Sequence, residues 1–103
     1  MIQTITPQDF HVHRNEFLLI DVRERAEYAV ERIEGSQLIP LGELSVSRLP
    51  RKDLPLVCHC RFGRRSAAAC EKLLKEDPFL MVYSLKGGLE AWKALGEPTQ
   101  TSS

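Results

Sequence analysis

Leu56-Val57-Cys58-His59-Cys60-Arg61-Phe62-Gly63-Arg64-Arg65-Ser66 joins an apolar run of strand length to a helix through a short basic loop. Leu56 to Cys60 suits a buried strand, Arg61 to Arg65 forms the loop, and Ser66 to Glu76 places Ala, Cys, Leu and Lys at helical spacing. A strand that passes directly into a helix is the building unit of an α/β domain. Ligands of such domains bind at the carboxyl ends of the strands, where loops meet helix N-termini. Cys60 stands at that point.

The same alternation extends to both sides. Upstream, Thr6-Pro7 with Asp9 reads as an N-cap, a first-turn proline and a capping acid, opening a short helix to about Arg14, with residues 2–5 as an edge strand. Phe17-Leu18-Leu19-Ile20-Asp21-Val22 is a continuous apolar run with one acid near its end, the pattern of a buried central strand, and Glu24 to Val30 follows as a short helix. Gly35-Ser36 turns into Leu38-Ile39-Pro40 at a strand end or edge, Leu41 to Leu49 is read as another short helix, and Pro50 to Pro55 as a polar connection. Downstream, Leu80 to Leu85 is a third strand, Lys86-Gly87-Gly88 a turn, and Leu89 to Leu95 a helix stopped by Gly96. This places one domain over residues 1–96 and a mobile tail over residues 97–103.

The composition agrees with that division. A length of 103 residues corresponds to a single small domain. Apolar residues make up 43% and charged residues 27% of the chain, enough for one packed core. Fourteen basic residues cancel fourteen acidic ones, so no whole-molecule field draws the protein to nucleic acid or to an anionic membrane, and any attraction for anions is local. No apolar run approaches the ~20 residues of a membrane span, and the first residues lack a signal-peptide pattern. Three cysteines, Cys58, Cys60 and Cys70, are an odd number, which speaks for free thiols in a reducing compartment. The expected location is cytoplasmic, and the expected state a monomer or weak homodimer.

Cys60 carries the chemistry. The thiolate is the nucleophilic form of cysteine, and cations and a helix N-terminus favour it. Arg61, Arg64 and Arg65 supply the cations, and no Asp or Glu lies between Leu54 and Cys70. Gly63 gives the backbone freedom to turn successive N–H groups inward around an anion, and Ser66 is placed to cap the following helix. The simpler reading, a buried strand-end cysteine beside a solvated helix start, leaves the clustering of Gly63 with three arginines unexplained. Cys58-His59-Cys60 has a metal-site look, but a closed zinc site needs four ligands and no second pair accompanies this one. Strand alternation also puts Cys58 and Cys60 on one face and His59 on the other. No metal and no cofactor is expected. Cys58 and Cys70 read as buried small hydrophobes, with a resolving or sulfur-accepting role for Cys58 as the alternative. His11 and His13 read as solvated, and Tyr28, Phe79 and Trp92 as core aromatics.

Residues 60–66 resemble the active-site loop of the rhodanese-like sulfurtransferases, a cysteine followed by four residues and an arginine with a central glycine. Two further blocks are similar to that family: Leu19-Ile20-Asp21-Val22-Arg23 with Glu27-Tyr28, Ile33, Gly35 and Ile39-Pro40, and then Tyr83, Leu85, Gly87-Gly88 and Ala91-Trp92. The departures are Glu31-Arg32, where the family usually has Gly-His, and Phe62, where the loop residue is often small. The resemblance implies a three-layer α/β sandwich, a mainly parallel central sheet of four or five strands flanked by helices. It implies a thiosulfate sulfurtransferase that works through a Cys60 persulfide and passes the sulfur to cyanide, a thiol or a thioredoxin-like acceptor. In that scheme the loop from Arg61 through Phe62, Gly63 and Arg64 to Arg65 holds the substrate, Arg61 and Arg64 steer the dianionic donor, and Arg65 braces the loop. Asp21, Arg23 and Ser66 support from behind, with Asp21 and Arg23 pairing with the loop or with Glu27. The charged loop favours thiosulfate over mercaptopyruvate, whose users have small uncharged loop residues.

Two other classes stay in view. A rhodanese-like regulatory or sulfur-relay binding module usually lacks the cysteine. A cysteine-dependent phosphatase or arsenate reductase resembles this chain in chemistry but has five residues between cysteine and arginine and needs an acid for its leaving group.

Overall fold

The computed structural model describes residues 2–101. Strands β1 (Gln3–Ile5), β2 (Leu18–Asp21), β3 (Glu31–Arg32), β4 (Gln37–Leu38), β5 (Leu56–His59), β6 (Val82–Leu85) and β7 (Gln100–Thr101) alternate with helices α1 (Pro7–Val12), α2 (Arg25–Val30), α3 (Arg64–Glu76) and α4 (Gly88–Ala94). Five strands form one sheet in the order β1-β6-β5-β2-β4, every neighbouring pair parallel. Parallel strands need crossovers, and the helices that supply them cover both faces. The fold is the α/β sandwich expected, with five strands in its central sheet.

Both faces of the central strands are buried, which explains why Leu18-Leu19-Ile20 and Leu56-Val57-Cys58 read as unbroken apolar runs. On one face Ile20, Val22, Cys58, Cys60, Ala69, Cys70 and Leu73 pack beneath α3. On the other, Phe10, Leu19, Val57, Leu85, Leu89 and Trp92 pack beneath α1 and α4. The alternation along β5 thus sends Cys58 and Cys60 one way and Val57 the other.

Several local expectations give way to tertiary packing. The first helix ends at Val12 and a single tight turn, Arg14–Glu16, follows it. The expected helix over residues 41–49 is instead two such turns, Leu41–Glu43 and Val46–Arg48. The break lets Leu44 and Leu49 both reach the core, and the Val46 N–H is taken by the Glu76 carboxylate at 3.0 Å. Phe79, expected in the core, is 92% exposed, on the turn between α3 and β6. Residues 97–101 of the expected mobile tail return to the body. Trp92 Nε1 donates to the Pro98 carbonyl at 3.0 Å, the Thr99 hydroxyl donates to Glu31 at 2.7 Å, and β7 pairs antiparallel with β3. Residues 102 and 103 lie outside the described residues. Among those described, no helix is long and apolar enough to cross a membrane.

Candidate active site

Strand β5 ends at His59, so Cys60 is the first residue of the loop and Gly63 the cap of α3. Gly63 has φ +114°, a conformation that glycine alone adopts without strain. This bend folds the loop back over the cysteine. The Gly63 N–H donates to Cys60 Sγ at 3.1 Å and the Ser66 N–H at 3.3 Å. Helix starts leave their first N–H groups unpaired, and a side-chain oxygen normally receives one of them. Here the sulfur takes that place.

Ser66 therefore does not cap the helix as expected. It is the third helical residue, and its hydroxyl donates to the Gly63 carbonyl at 3.1 Å, with the Ser84 hydroxyl of β6 at 2.7 Å and Cys60 Sγ at 3.6 Å. A second clasp comes from the start of α4. The N–H groups of Leu89 and Glu90 donate to the carbonyls of Cys60 and Arg61, at 2.8 and 3.1 Å. Gly88 makes this approach possible, since a Cβ there would strike the Cys60 carbonyl oxygen and lie 2.6 Å from that of Arg61. With these carbonyls held on the outside, the Gly63 and Ser66 N–H groups face the sulfur.

Cys60 sits on the floor of a pocket of about 520 Å³ lined by Glu27, Arg61, Phe62, Arg64 and Arg65. Arg65 lies against Glu27, Nη1 to Oε1 at 2.6 Å and Nη2 to Oε2 at 3.0 Å, and this pairing holds the Glu27 carboxyl down at about 2. Arg61 meets Glu90 at 3.4 Å and stacks over the Phe62 ring at 5.0 Å. Arg64 is exposed at the pocket edge, and no ion pair engages it among the described residues. Phe62, 64% exposed, forms the lip.

The structure separates Asp21 and Arg23 from the loop. Arg23 binds Asp21 itself, Nη2 to Oδ2 at 2.7 Å, and the Glu31 carbonyl at 2.6 Å, both side chains being buried. The partner of the loop on this side is Glu27 through Arg65, and Asp21 faces His59, whose Nε2 is 3.4 Å from Oδ2. His59 is fully buried, neither ring nitrogen has a hydrogen-bond partner among the described residues, and burial pushes its pKa down despite the nearby carboxylate. Cys58 and Cys70 are buried beside each other in the core, and the Cys70 thiol together with burial keeps Cys58 well above the usual thiol range.

Sequence reasoning passed over Ser84, the Leu89–Glu90 clasp and the role of Glu27. Consecutive glycines at 87 and 88, both with positive φ, were the available signal for a close backbone approach.

The family model of the rhodanese-like domain matches residues 6–95. The chain belongs to that family. A sulfurtransferase of Allochromatium vinosum is 35% identical over 85 residues, covering 81% of this rhodanese-like chain and 78% of the relative. Protein slr1261 of Synechocystis is 34% identical over 99 residues, and the match takes in 93% of this chain but 55% of the length of that relative. The crystal structure of a rhodanese-related protein from Thermoplasma volcanium is 28% identical and superposes with a TM-score of 0.85, covering 97% of this chain and 99% of the other.

Proposed function

We propose that this rhodanese-like domain is a sulfurtransferase that takes the sulfane sulfur of thiosulfate onto Cys60 as a persulfide and passes it to cyanide or a thiol. The reading is carried by the two N–H donors, from Gly63 and Ser66, aimed at a cysteine sulfur on the floor of an arginine-lined pocket. Preorganised donors of this kind stabilise negative charge on sulfur without reorganising during the reaction.

In the first half-reaction the Cys60 thiolate attacks the outer sulfur of thiosulfate. A bond forms between the two sulfurs, the sulfur–sulfur bond of the donor breaks, and sulfite leaves with the electron pair. In the second, the acceptor attacks the outer sulfur of the persulfide and the electron pair returns to Cys60. Sulfite leaves as a stable anion and needs no proton, which suits a pocket whose one carboxyl, Glu27, is held at about 2 by Arg65 and stays ionised near neutral pH. The same observation weighs against a phosphatase, which needs a protonated acid for its leaving alkoxide. Arg65, occupied by Glu27, braces the loop. Arg64 and the exposed Arg61, which shares its charge with Glu90 at 3.4 Å, attract the dianion, and exposed Phe62 narrows the entrance.

The test is intact-protein mass spectrometry after thiosulfate and then after cyanide, on the wild type and Cys60→Ser. The expected result is a gain of one sulfur atom on the wild type alone, removed by cyanide. Absence of that adduct on the wild type overturns the reading.

A further inference from the structure

Two buried hydroxyls stand behind Cys60. Ser66 on α3 and Ser84 on β6 are both closed to solvent, and their oxygens are 2.7 Å apart. Ser66 Oγ lies 3.6 Å from Cys60 Sγ. Neither serine lines the sulfur pocket, whereas the charged groups of Glu27, Arg61, Arg64 and Arg65 all do. A reagent therefore meets the sulfur from the charged, open side, and the hydroxyl pair meets it from the core.

The hydrogens of the pair can be assigned. A hydroxyl has one hydrogen to donate and two lone pairs with which to accept. Among the described residues the Ser84 hydroxyl has the Ser66 oxygen as its partner, and a buried donor is placed where an acceptor receives it. Ser84 thus donates to Ser66, and the Ser66 hydrogen is left for the Gly63 carbonyl at 3.1 Å or for the sulfur. The Gly63 carbonyl also receives the Ala67 N–H at 3.1 Å, so it stays paired when Ser66 turns away. With Cys60 as a neutral thiol, its S–H points at Ser66 Oγ and Ser66 donates to Gly63. With Cys60 as a thiolate, rotation about one bond brings the Ser66 hydrogen onto the sulfur. Every polar group of the cluster is satisfied in both arrangements.

We propose that Ser84 is a positioning residue for sulfur transfer: by donating to Ser66 it holds the Ser66 hydroxyl ready to turn onto the Cys60 sulfur, as a donor additional to the two N–H groups, when the persulfide is discharged. The inference rests on the sulfur-transfer reading of Cys60. Cyanide attacks the outer sulfur of the persulfide anion. A carbon–sulfur bond forms, the bond between the two sulfurs breaks, and Cys60 Sγ keeps the electron pair as thiocyanate leaves. Negative charge thus arrives on the one sulfur that Ser66 reaches. A hydroxyl that itself accepts a hydrogen bond is the stronger donor, which is the part played by Ser84. Loading by thiosulfate runs the other way, since the same sulfur gives up its charge and a donor on it lowers its nucleophilicity. The hydroxyl pair therefore favours discharge and does not speed loading.

The experiment measures the two half-reactions separately by rapid mixing, loading with thiosulfate and discharge with cyanide, at an alkaline pH where thiolate absorbance shows Cys60 ionised in every variant. Ser66→Ala, which keeps its N–H, should discharge about tenfold more slowly, and Ser84→Ala about threefold more slowly, with loading no slower than in the wild type. Ser84→Thr keeps the hydroxyl and should discharge within about twofold of the wild type. Equal discharge by Ser84→Ala and the wild type overturns the inference, and so does an equal slowing of loading and discharge, which marks a loosened loop. Failure of the wild type to load at all would instead remove the sulfur-transfer reading.

Discussion

The Arg65 guanidinium lies fork to fork on the Glu27 carboxylate, tying the loop of Cys60 to helix α2 across 38 positions of sequence. A carboxyl held at about 2, against an ordinary value of 4.5, contributes stability that is complete above pH 4.5 and lost as pH falls towards 2. With both side chains about a third exposed, solvent screening reduces this to about 1 kcal/mol. Denaturant unfolding of the wild type and Glu27→Gln at pH 6 and pH 3 checks it. The variant should lose less on acidification by about that amount, and equal losses would contradict the pairing.

His59 titrates in a different window. Its pKa is lowered by burial, with the Asp21 carboxylate opposing and the Arg23 guanidinium reinforcing the shift. The unfolded chain therefore binds a proton that the folded chain refuses, and the stability from this group is present above the ordinary value of 6.5 and declines below it. His59→Gln should flatten the stability curve between about pH 6.5 and 5, measured by the same unfolding experiment. An unchanged slope would show that His59 is protonated in the fold.

The Ser66 and Ser84 hydroxyls meet at 2.7 Å with both residues buried. Removing Ser66 strands the Ser84 hydroxyl, at about 1–3 kcal/mol, while removing Ser84 leaves the Ser66 hydroxyl its bond to the Gly63 carbonyl. Ser66→Ala and Ser84→Ala should each destabilise, and the double variant should cost clearly less than the sum. Additive unfolding free energies would argue that the two hydroxyls do not pair.

Gly88→Ala should break the clasp on the loop. The new Cβ meets the backbone oxygens of Cys60 and Arg61, at a residue with φ +61°, and backbone cannot step aside as a flexible side chain does. A loss above about 2 kcal/mol, or a displaced loop with persulfide formation abolished, is expected. Gly42→Ala, where a Cβ meets nothing within 4 Å, is the tolerated control, and equal behaviour of the two variants would contradict the geometry.

Arg64, exposed at the pocket edge and without an ion pair among the described residues, should matter through charge. Arg64→Ala is expected to raise the KM for thiosulfate about fivefold at low ionic strength, a difference that fades near 1 M salt, where screening reaches about 3 Å. Steady-state assays across salt decide this, and a salt-independent KM would show that Arg64 only faces solvent.

What the sequence determined by itself is local. The apolar run of Leu56 to Cys60 passing into a basic, glycine-bearing loop and a helix is legible because strand burial, loop flexibility and helix spacing act between near neighbours, and so is a mainly parallel sheet. Even the placement of Cys60 at a strand end follows from that pattern. What the tertiary structure decided depends on groups brought together from distant segments. The residues 41–49 break into two turns because Leu44 and Leu49 must both reach the core. Phe79 stays in solvent, and residues 97–101 dock on Glu31 and β3, partners some 70 positions away that no sequence window contains. The same holds at the site, where Glu27, Ser84, Leu89 and Glu90 converge on the loop from three elements. Spacing along the chain reports which residue reacts; only packing reports what holds it in place.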